Sequence, residues 1–257
     1  MSRLSIIVPA FNEEELLPRT LNHLRASLQS AGIEADLIVT DNNSTDRTAA
    51  IAREFGAEVV FEPVNQIARA RNAGAARARG EHLIFLDADT LVAPETLRQA
   101  VDALRTGEVS GGGALVCGDT PFTGFAAWLV AFWTWISRTR QLPAGSFVFC
   151  RREAFEAVGG FDESVYAGEE VWFAIRLKRW GKERGLRFHL IEHPPVLTSS
   201  RKAAMFGSWQ LFLQFLIVAF VPAATRSRRL CWVWYHRPDR RGLWGSVGKV
   251  TSDPFRP

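Results

Sequence analysis

Asp87 and Asp89 stand one residue apart, directly after a short apolar run, His82-Leu83-Ile84-Phe85-Leu86. If the backbone turns there, both carboxylates approach one point. Hard oxygen donors in that arrangement suit a divalent ion such as Mg²⁺ or Mn²⁺, shared with substrate phosphates rather than caged by protein. A plainer arrangement is a strand and a turn, with Asp89 capping a helix that begins near Pro94. Asp41 repeats the placement, just past the run Ala35–Thr40, and Pro9 closes another apolar run that starts at Leu4.

The elements that must position these groups follow from hydrophobic patterning. Leu4–Pro9, Ala35–Thr40, Glu58–Phe61 and His82–Leu86 are short and largely apolar, as buried parallel strands are. Helical patterns lie between them, over Glu14–Ala31, from Ser44–Arg47 to Phe55, and over Ile67–Arg79. Leu16, Leu17, Leu21, Leu24 and Leu28 recur at helical spacing, Asn12 is a suitable N-cap and Gly32 a stop. The order β-α-β-α-β-α-β predicts an α/β fold, a Rossmann-like, mostly parallel central sheet with helices on both faces. Ligands bind such sheets beyond the carboxyl ends of the strands, where Pro9, Asp41, Asp87 and Asp89 all fall. No GxGxxG follows the first strand and no GxxxxGK[ST] occurs, which disfavours a dinucleotide fold and a P-loop. Phosphates would need another counter-charge, and a metal supplies one.

The 257 residues suffice for one α/β domain with or without an appendage. A 47% hydrophobic fraction supports a sizeable core, and the net charge of +4 is modest. Arg226, Arg228, Arg229, Arg237, Arg240 and Arg241 crowd near the C-terminus. Cys117, Cys150 and Cys231 are isolated, which indicates neither a zinc site nor a disulfide scaffold and fits a reducing cytosol. The N-terminus enters a strand at once, unlike a cleaved signal peptide. No nucleic-acid-binding motif accompanies the arginines, so nucleic acid is not an expected partner.

Four stretches occur in order: Pro9-Ala10-Phe11-Asn12-Glu13-Glu14, Asp41-Asn42-Asn43-Ser44-Thr45-Asp46, Ala70-Arg71-Asn72-Ala73-Gly74 and Leu86-Asp87-Ala88-Asp89. Together they resemble the family 2 glycosyltransferases of the GT-A fold, from about Leu4 to Gly181. The resemblance implies a nucleotide-sugar donor, UDP- or GDP-linked. It places Pro9, Ala10, Asn12 and Glu14 along the nucleoside, Asp41 on the base and Arg71 beside the nucleotide. Asp87 and Asp89 would hold the ribose and a Mg²⁺ or Mn²⁺ ion, Asp89 as the more direct ligand. Asn72 and Gly74 match the same motif but could only shape their helix. For Arg71 the plain alternative is a solvated helix face, with Arg69, Arg77 and Arg79 nearby. The family usually carries Glu-Asp at the start of a later helix, its aspartate taken as the general base; here Glu169-Glu170 stand there. The resemblance makes Glu170 the base, one methylene longer than usual, with Glu169 as neighbour or substitute. A base must come within about 3 Å of the acceptor hydroxyl, so that methylene matters. Charge complementarity at a helix N-terminus is the alternative for both. A base opposite the leaving group implies direct displacement with inversion.

Gly111-Gly112-Gly113 opens a more irregular acceptor half, with a strand at Ala114–Cys117. Gly159-Gly160-Phe161-Asp162 follows the family's acceptor region, Asp162 reading as a structural turn residue. Phe122–Ile136 is apolar and aromatic but shorter than the ~20 residues of a spanning helix, which leaves a buried helix or a membrane contact. After a strand at Leu186–Ile191, His193 is a candidate metal ligand, though a surface or packed histidine is the stronger reading. Arg201 and Lys202 could reach the diphosphate from a closing loop. Met205–Ala224 is apolar over nearly a membrane span, and arginines beside Trp232 and Trp234 follow it. An interfacial or re-entrant helix, a packed soluble helix and a true span all remain open.

The sequence thus predicts a GT-A glycosyltransferase domain over residues 1–200. Within it, 1–110 form the nucleotide-sugar half and 111–200 the acceptor half. Residues 201–257 form an apolar, basic C-terminal helical segment suited to a membrane surface. The expected activity is inverting, metal-dependent sugar transfer to a hydroxyl of a glycan or lipid acceptor, in the cytoplasm at the inner membrane face. The alternatives are a soluble transferase with a small or protein acceptor, a nucleotidyltransferase, and a non-catalytic sugar-nucleotide binder.

Overall fold

A computed structural model describes residues 3–120, 124–143, 145–201, 210, 213–214, 216–217 and 221–235. The first half folds as β1 (Leu4–Ala10), α1 (Leu17–Ala31), β2 (Ala35–Asp41), α2 (Thr48–Glu54), β3 (Glu58–Phe61), α3 (Ile67–Arg77) and β4 (His82–Leu86). These strands pair in parallel in the order β3-β2-β1-β4. Alternate residues feed two cores. Ile6, Val8, Ile84 and Leu86 meet Leu17, Leu21 and Leu24 of α1 on one face. Ile7, Leu83 and Phe85 meet Ala68 and Ala75 of α3 on the other. A helix can lie this close to the sheet because α3 carries Gly74, where a Cβ would strike Ile7 and the Thr40 hydroxyl.

Two local expectations shift. Pro9 does not end β1, which pairs with β2 as far as Ala10↔Asp41; its pairing with β4 stops at Ile7↔Phe85, so Pro9 lies beyond that ladder. The first helix starts at Leu17 rather than Glu14. Pro18 explains this, since a residue without an N–H fits only the first turn. Asn12 therefore does not cap α1.

The second half supplies β5 (Thr90–Leu91), α4 (Pro94–Arg105), β6 (Val109–Gly118), α5 (Gly124–Arg140), β7 (Phe147–Arg151), α6 (Arg152–Ala157), α7 (Glu169–Lys182) and β8 (Arg187–Thr198). A 3₁₀ turn (Pro222–Arg226) and the short α8 (Trp232–Tyr235) follow. Among the described residues the sheet has eight strands in the order β3-β2-β1-β4-β7-β6-β8-β5. The parallel arrangement holds for the first half, but β7 runs antiparallel between β4 and β6, and β5 antiparallel to β8. The cause is α5, which takes the chain from the end of β6 back to the same sheet edge, so β7 must descend. Gly111, Gly112 and Gly113, read as the start of an irregular stretch, lie inside β6. A Cβ there would collide with the Phe149 carbonyl, the His189 carbonyl and Pro143 respectively, so these glycines allow the close approach of β7 and β8.

The apolar α5 is not buried. Trp128 and Trp135 are 55% and 60% exposed and stack on either side of Phe132. No helix among the described residues is long and apolar enough to cross a membrane. Lys202, most of Met205–Ala224, and Arg237, Arg240 and Arg241 lie outside those residues. The described part of the tail packs on the preceding elements. The Tyr166 N–H donates to the Thr225 carbonyl at 2.6 Å, the Tyr166 and Tyr235 rings meet edge-on, and Cys231 is fully buried.

Candidate functional site

Parallel pairing brings the carboxyl ends of β1, β2 and β4 to one edge of the sheet. Two loops there are stitched together. The Asn12 N–H donates to Ser44 Oγ, and Asn12 Oδ1 accepts from the Thr45 N–H at 2.8 Å, with Asn12 in the left-handed region at φ 51°. Glu14 Oε2 accepts from the Arg47 N–H, and the Glu14 N–H donates to Asp46 Oδ2. Asp41 is buried, and its Oδ1 accepts the Ser44 N–H at 2.9 Å. Asn12, Glu14 and Asp41 thus shape a shared rim beside Pro9 and Ala10. Asn42, not singled out from sequence, anchors that rim from below. Its Nδ2 donates to the Glu62 and Val64 carbonyls, and its Oδ1 accepts from the Gln66 N–H.

Arg71 is not on a solvated face. Only 2% exposed, it donates to Glu169 Oε1 at 2.7 Å, Asp87 Oδ1 at 2.9 Å and the Gly145 carbonyl at 2.8 Å, with its guanidinium over the Phe161 ring. Burial opposes its charge, but Asp87, Glu169 and Glu170 hold its pKa above the ordinary value. A planar fork with several donors can satisfy such divergent acceptors, which a lysine cannot. The side chain therefore binds α3, the end of β4, the loop before β7 and the start of α7 into one unit. It reaches the edge of the site through Asp87.

Asp89 is tied to a different arginine. Arg201 Nη2 lies 3.6 Å from Asp89 Oδ2, and its fork also donates to both carboxylate oxygens of Glu13, at 2.8 and 3.0 Å. Thr198 Oγ1 approaches Asp89 Oδ1 at 3.5 Å. Asp89 does not cap α4, whose N-cap position is Ala93. The two aspartates thus end β4 with carboxylates on two separate arginine bridges. For a divalent ion they offer hard oxygen donors at one turn, and no group of three or more His, Cys, Asp or Glu that could hold a metal occurs among the described residues. That donor set fits Mg²⁺ or Mn²⁺ only where a diphosphate and water complete the shell. His193 is exposed and sits within β8, several residues before Thr198, which meets Asp89.

The acids at the start of α7 separate cleanly. Glu169 is buried and paired with Arg71. Glu170 is half-buried beside Gly145, where an added Cβ would lie 3.2 Å from Glu170 Cδ and 3.5 Å from Arg71 Nη2. Burial, then the Glu169 and Asp87 charges, push the Glu170 carboxyl above the usual carboxylate range, with Arg71 pulling the other way. A carboxyl raised to about 8 is largely protonated at neutral pH, and its ionised form is a stronger base than an ordinary carboxylate. Around it, Asn72 clasps the Gly160-Phe161 turn, donating to the Phe161 carbonyl and accepting the Phe161 N–H. Asp162 holds its turn through Ser164. A separate cavity of about 420 Å³, lined by Leu21, Leu24 and Phe55, opens at the opposite ends of β1 and β2, away from these acids.

The family model described as "Glycosyl transferase family 2" matches residues 5–159. The probable glycosyltransferase YdaM of Bacillus subtilis (strain 168) is 25% identical over 232 residues, which cover 81% of this chain and 53% of YdaM. The chain spans about half the length of the curated relatives it matches. Two solved structures show the fold. The mannosyltransferase PcManGT of Pyrobaculum calidifontis, in complex with GDP-Man and Mn²⁺, superposes with a TM-score of 0.63 at 19% identity, covering 90% of this chain and 70% of PcManGT. Glucosyl-3-phosphoglycerate synthase of Mycobacterium tuberculosis, with Mn²⁺, UDP-glucose and phosphoglyceric acid, gives 0.60 at 21% identity, covering 84% and 79%.

Because Arg71 compensates two carboxylates, one of them buried, Arg71→Met should destabilise the fold by about 3–5 kcal/mol in urea unfolding. Arg71→Lys should recover less than half of that, since an ammonium cannot span the three acceptors. Wild-type stability in either variant would contradict the bridging role.

Proposed function

The chain belongs to glycosyl transferase family 2, and we propose that it transfers a sugar from a nucleoside-diphosphate donor to an acceptor hydroxyl. The observation that carries this reading is the division of the acid pair. Glu169 is committed to Arg71, while Glu170 faces the Gly145 loop within the field of Asp87. In this reading Glu170 takes the proton from the acceptor hydroxyl. Once ionised, its raised proton affinity suits it to that step, and attack from its side inverts the anomeric centre. Pro9, Ala10, Asn12, Glu14 and Asp41 line the nucleoside, whose base is uracil or guanine. Asp87 and Asp89 would hold a Mg²⁺ or Mn²⁺ ion, which when bound would offset the charge of the departing diphosphate. Support for this donor chemistry comes from the two similar structures, whose complexes contain GDP-Man or UDP-glucose with Mn²⁺.

The acceptor is proposed to be a lipid or lipid-linked glycan presented at the inner face of a membrane. Exposed Trp128 and Trp135 stack on the half-buried Phe132 along α5, which ends in Arg138 and Arg140, and Leu213, Val221 and Leu230 are also exposed. Aromatic rings beside arginines suit the interface of an anionic bilayer.

Two measurements test these readings. In calorimetric titration with UDP and GDP, one nucleotide should bind in the presence of Mn²⁺ and lose at least tenfold in affinity in Asp89→Ala. Binding of neither under any condition would remove the donor site. In vesicle co-sedimentation, the protein should bind phosphatidylglycerol-containing vesicles over pure phosphatidylcholine ones, and Trp128→Ala/Trp135→Ala should weaken that binding. No vesicle binding would favour a soluble acceptor.

A further inference from the structure

Arg201, late in the chain, joins two carboxylates from its first half, Glu13 and Asp89. Glu13 lies in the loop after β1 and is 5% exposed. Asp89 follows β4, and Arg201 stands just past the end of β8. The contact with Glu13 uses both arms of the guanidinium, at 2.8 and 3.0 Å. A bidentate pair of this kind is strong and directional. The Arg201 side chain is 15% exposed and that of Glu13 6%, so salt screens the pair little.

The backbone fixes where the guanidinium falls. Thr198 pairs with Thr90 in the β8–β5 ladder, and the Ser199 N–H donates to the Asp89 carbonyl at 3.1 Å. Arg201 is thus placed three residues beyond the registered strand end at Thr198, and Glu13 holds its head group near Asp89. With Arg71 serving Asp87, each aspartate of the pair has its own resident cation.

We propose that Arg201, anchored by Glu13, is a built-in counter-ion of Asp89 that makes divalent-ion binding depend on the nucleotide. The inference rests on the metal reading of Asp87 and Asp89 given above. A guanidinium and a divalent ion on one carboxylate repel each other, so the ion alone binds weakly. A diphosphate relieves the repulsion, because its anionic oxygens take up the Arg201 charge that otherwise faces Asp89 at 3.6 Å. Metal and nucleotide then strengthen one another's binding, and by linkage the coupling is equal in both directions. Arg201 is a positioning residue in this scheme, and Glu13 sets its position.

The test is Mn²⁺ binding to the full chain, read from the free-ion electron paramagnetic resonance signal, with and without UDP or GDP. Arg201→Gln removes the charge, whereas Arg201→Lys keeps it without the fork. Without nucleotide, Arg201→Gln should bind Mn²⁺ about tenfold more tightly than wild type, and the gain in Mn²⁺ affinity on adding nucleotide should shrink by a similar factor. Arg201→Lys should stay within about twofold of wild type for Mn²⁺ alone, since it preserves the repulsion. Equal or weaker Mn²⁺ binding by Arg201→Gln, with nucleotide-dependent binding intact in wild type, would overturn the counter-ion role alone. Absence of Mn²⁺ binding in every variant, even with nucleotide, would overturn both this inference and the metal reading beneath it.

Discussion

A guanidinium withdrawn from water must find anionic or polar partners, and the arrangement of this site depends on how Arg71 finds them. Its partners come from β4, the loop before β7 and α7, and Arg71 itself from α3. Leaving any one partner out would strand charge in a low-dielectric region, which costs several kcal/mol. The buried cation therefore fixes the distance between the parallel first half of the sheet and the helix that carries Glu169 and Glu170. The antiparallel β7 serves the same end, because its first residues pair with the last of β4 and keep Gly145 beside Asp87.

The second bridge differs in kind. Arg201 sits nearer the surface and touches Asp89 only at 3.6 Å, while Glu13 holds it firmly. The buried bridge therefore gives a fixed frame, and the outer one gives a contact that can be exchanged. On the proposed reading, donor binding uses this difference. Asp87 keeps its structural partner while Asp89 changes from an arginine to an ion. The family membership and the fold set the class of chemistry, and these two bridges describe how this particular chain arranges it.

Much of this was legible in the sequence where local chemistry decides the outcome. The first four strands, the stop at Gly32, the turn role of Asp162 and the position of the acids at one sheet edge all follow from periodicity and turn chemistry. The antiparallel half was not legible, because direction depends on where α5 returns the chain, and no residue pattern encodes that. The glycine triplet looked irregular because its reason is tertiary: backbone of β7 and β8 presses against it. Glu13 and Arg201 are 188 residues apart, and neither carries a local sign of the other. Which of Glu169 and Glu170 is engaged with Arg71 also could not be read, since adjacent acids at a helix start look alike until a long-range partner selects one. The aromatic row of α5 matched a core helix in composition, and only its exposure distinguishes the two.

The central claim is that Arg71 divides the acid pair, giving Glu169 a structural task and Glu170 a chemical one. The most direct test measures urea unfolding and donor turnover together in Glu169→Gln and Glu170→Gln, with water as the acceptor if none is known. Glu169→Gln should lose about 3 kcal/mol of stability, having left the buried Arg71 short of a counter-charge. Glu170→Gln should keep or slightly gain stability, because its neutral side chain avoids the repulsion from Glu169 and Asp87, while turnover falls about 10²–10⁴-fold. A stable Glu169→Gln, or a Glu170→Gln that turns over donor at the wild-type rate, would contradict the account.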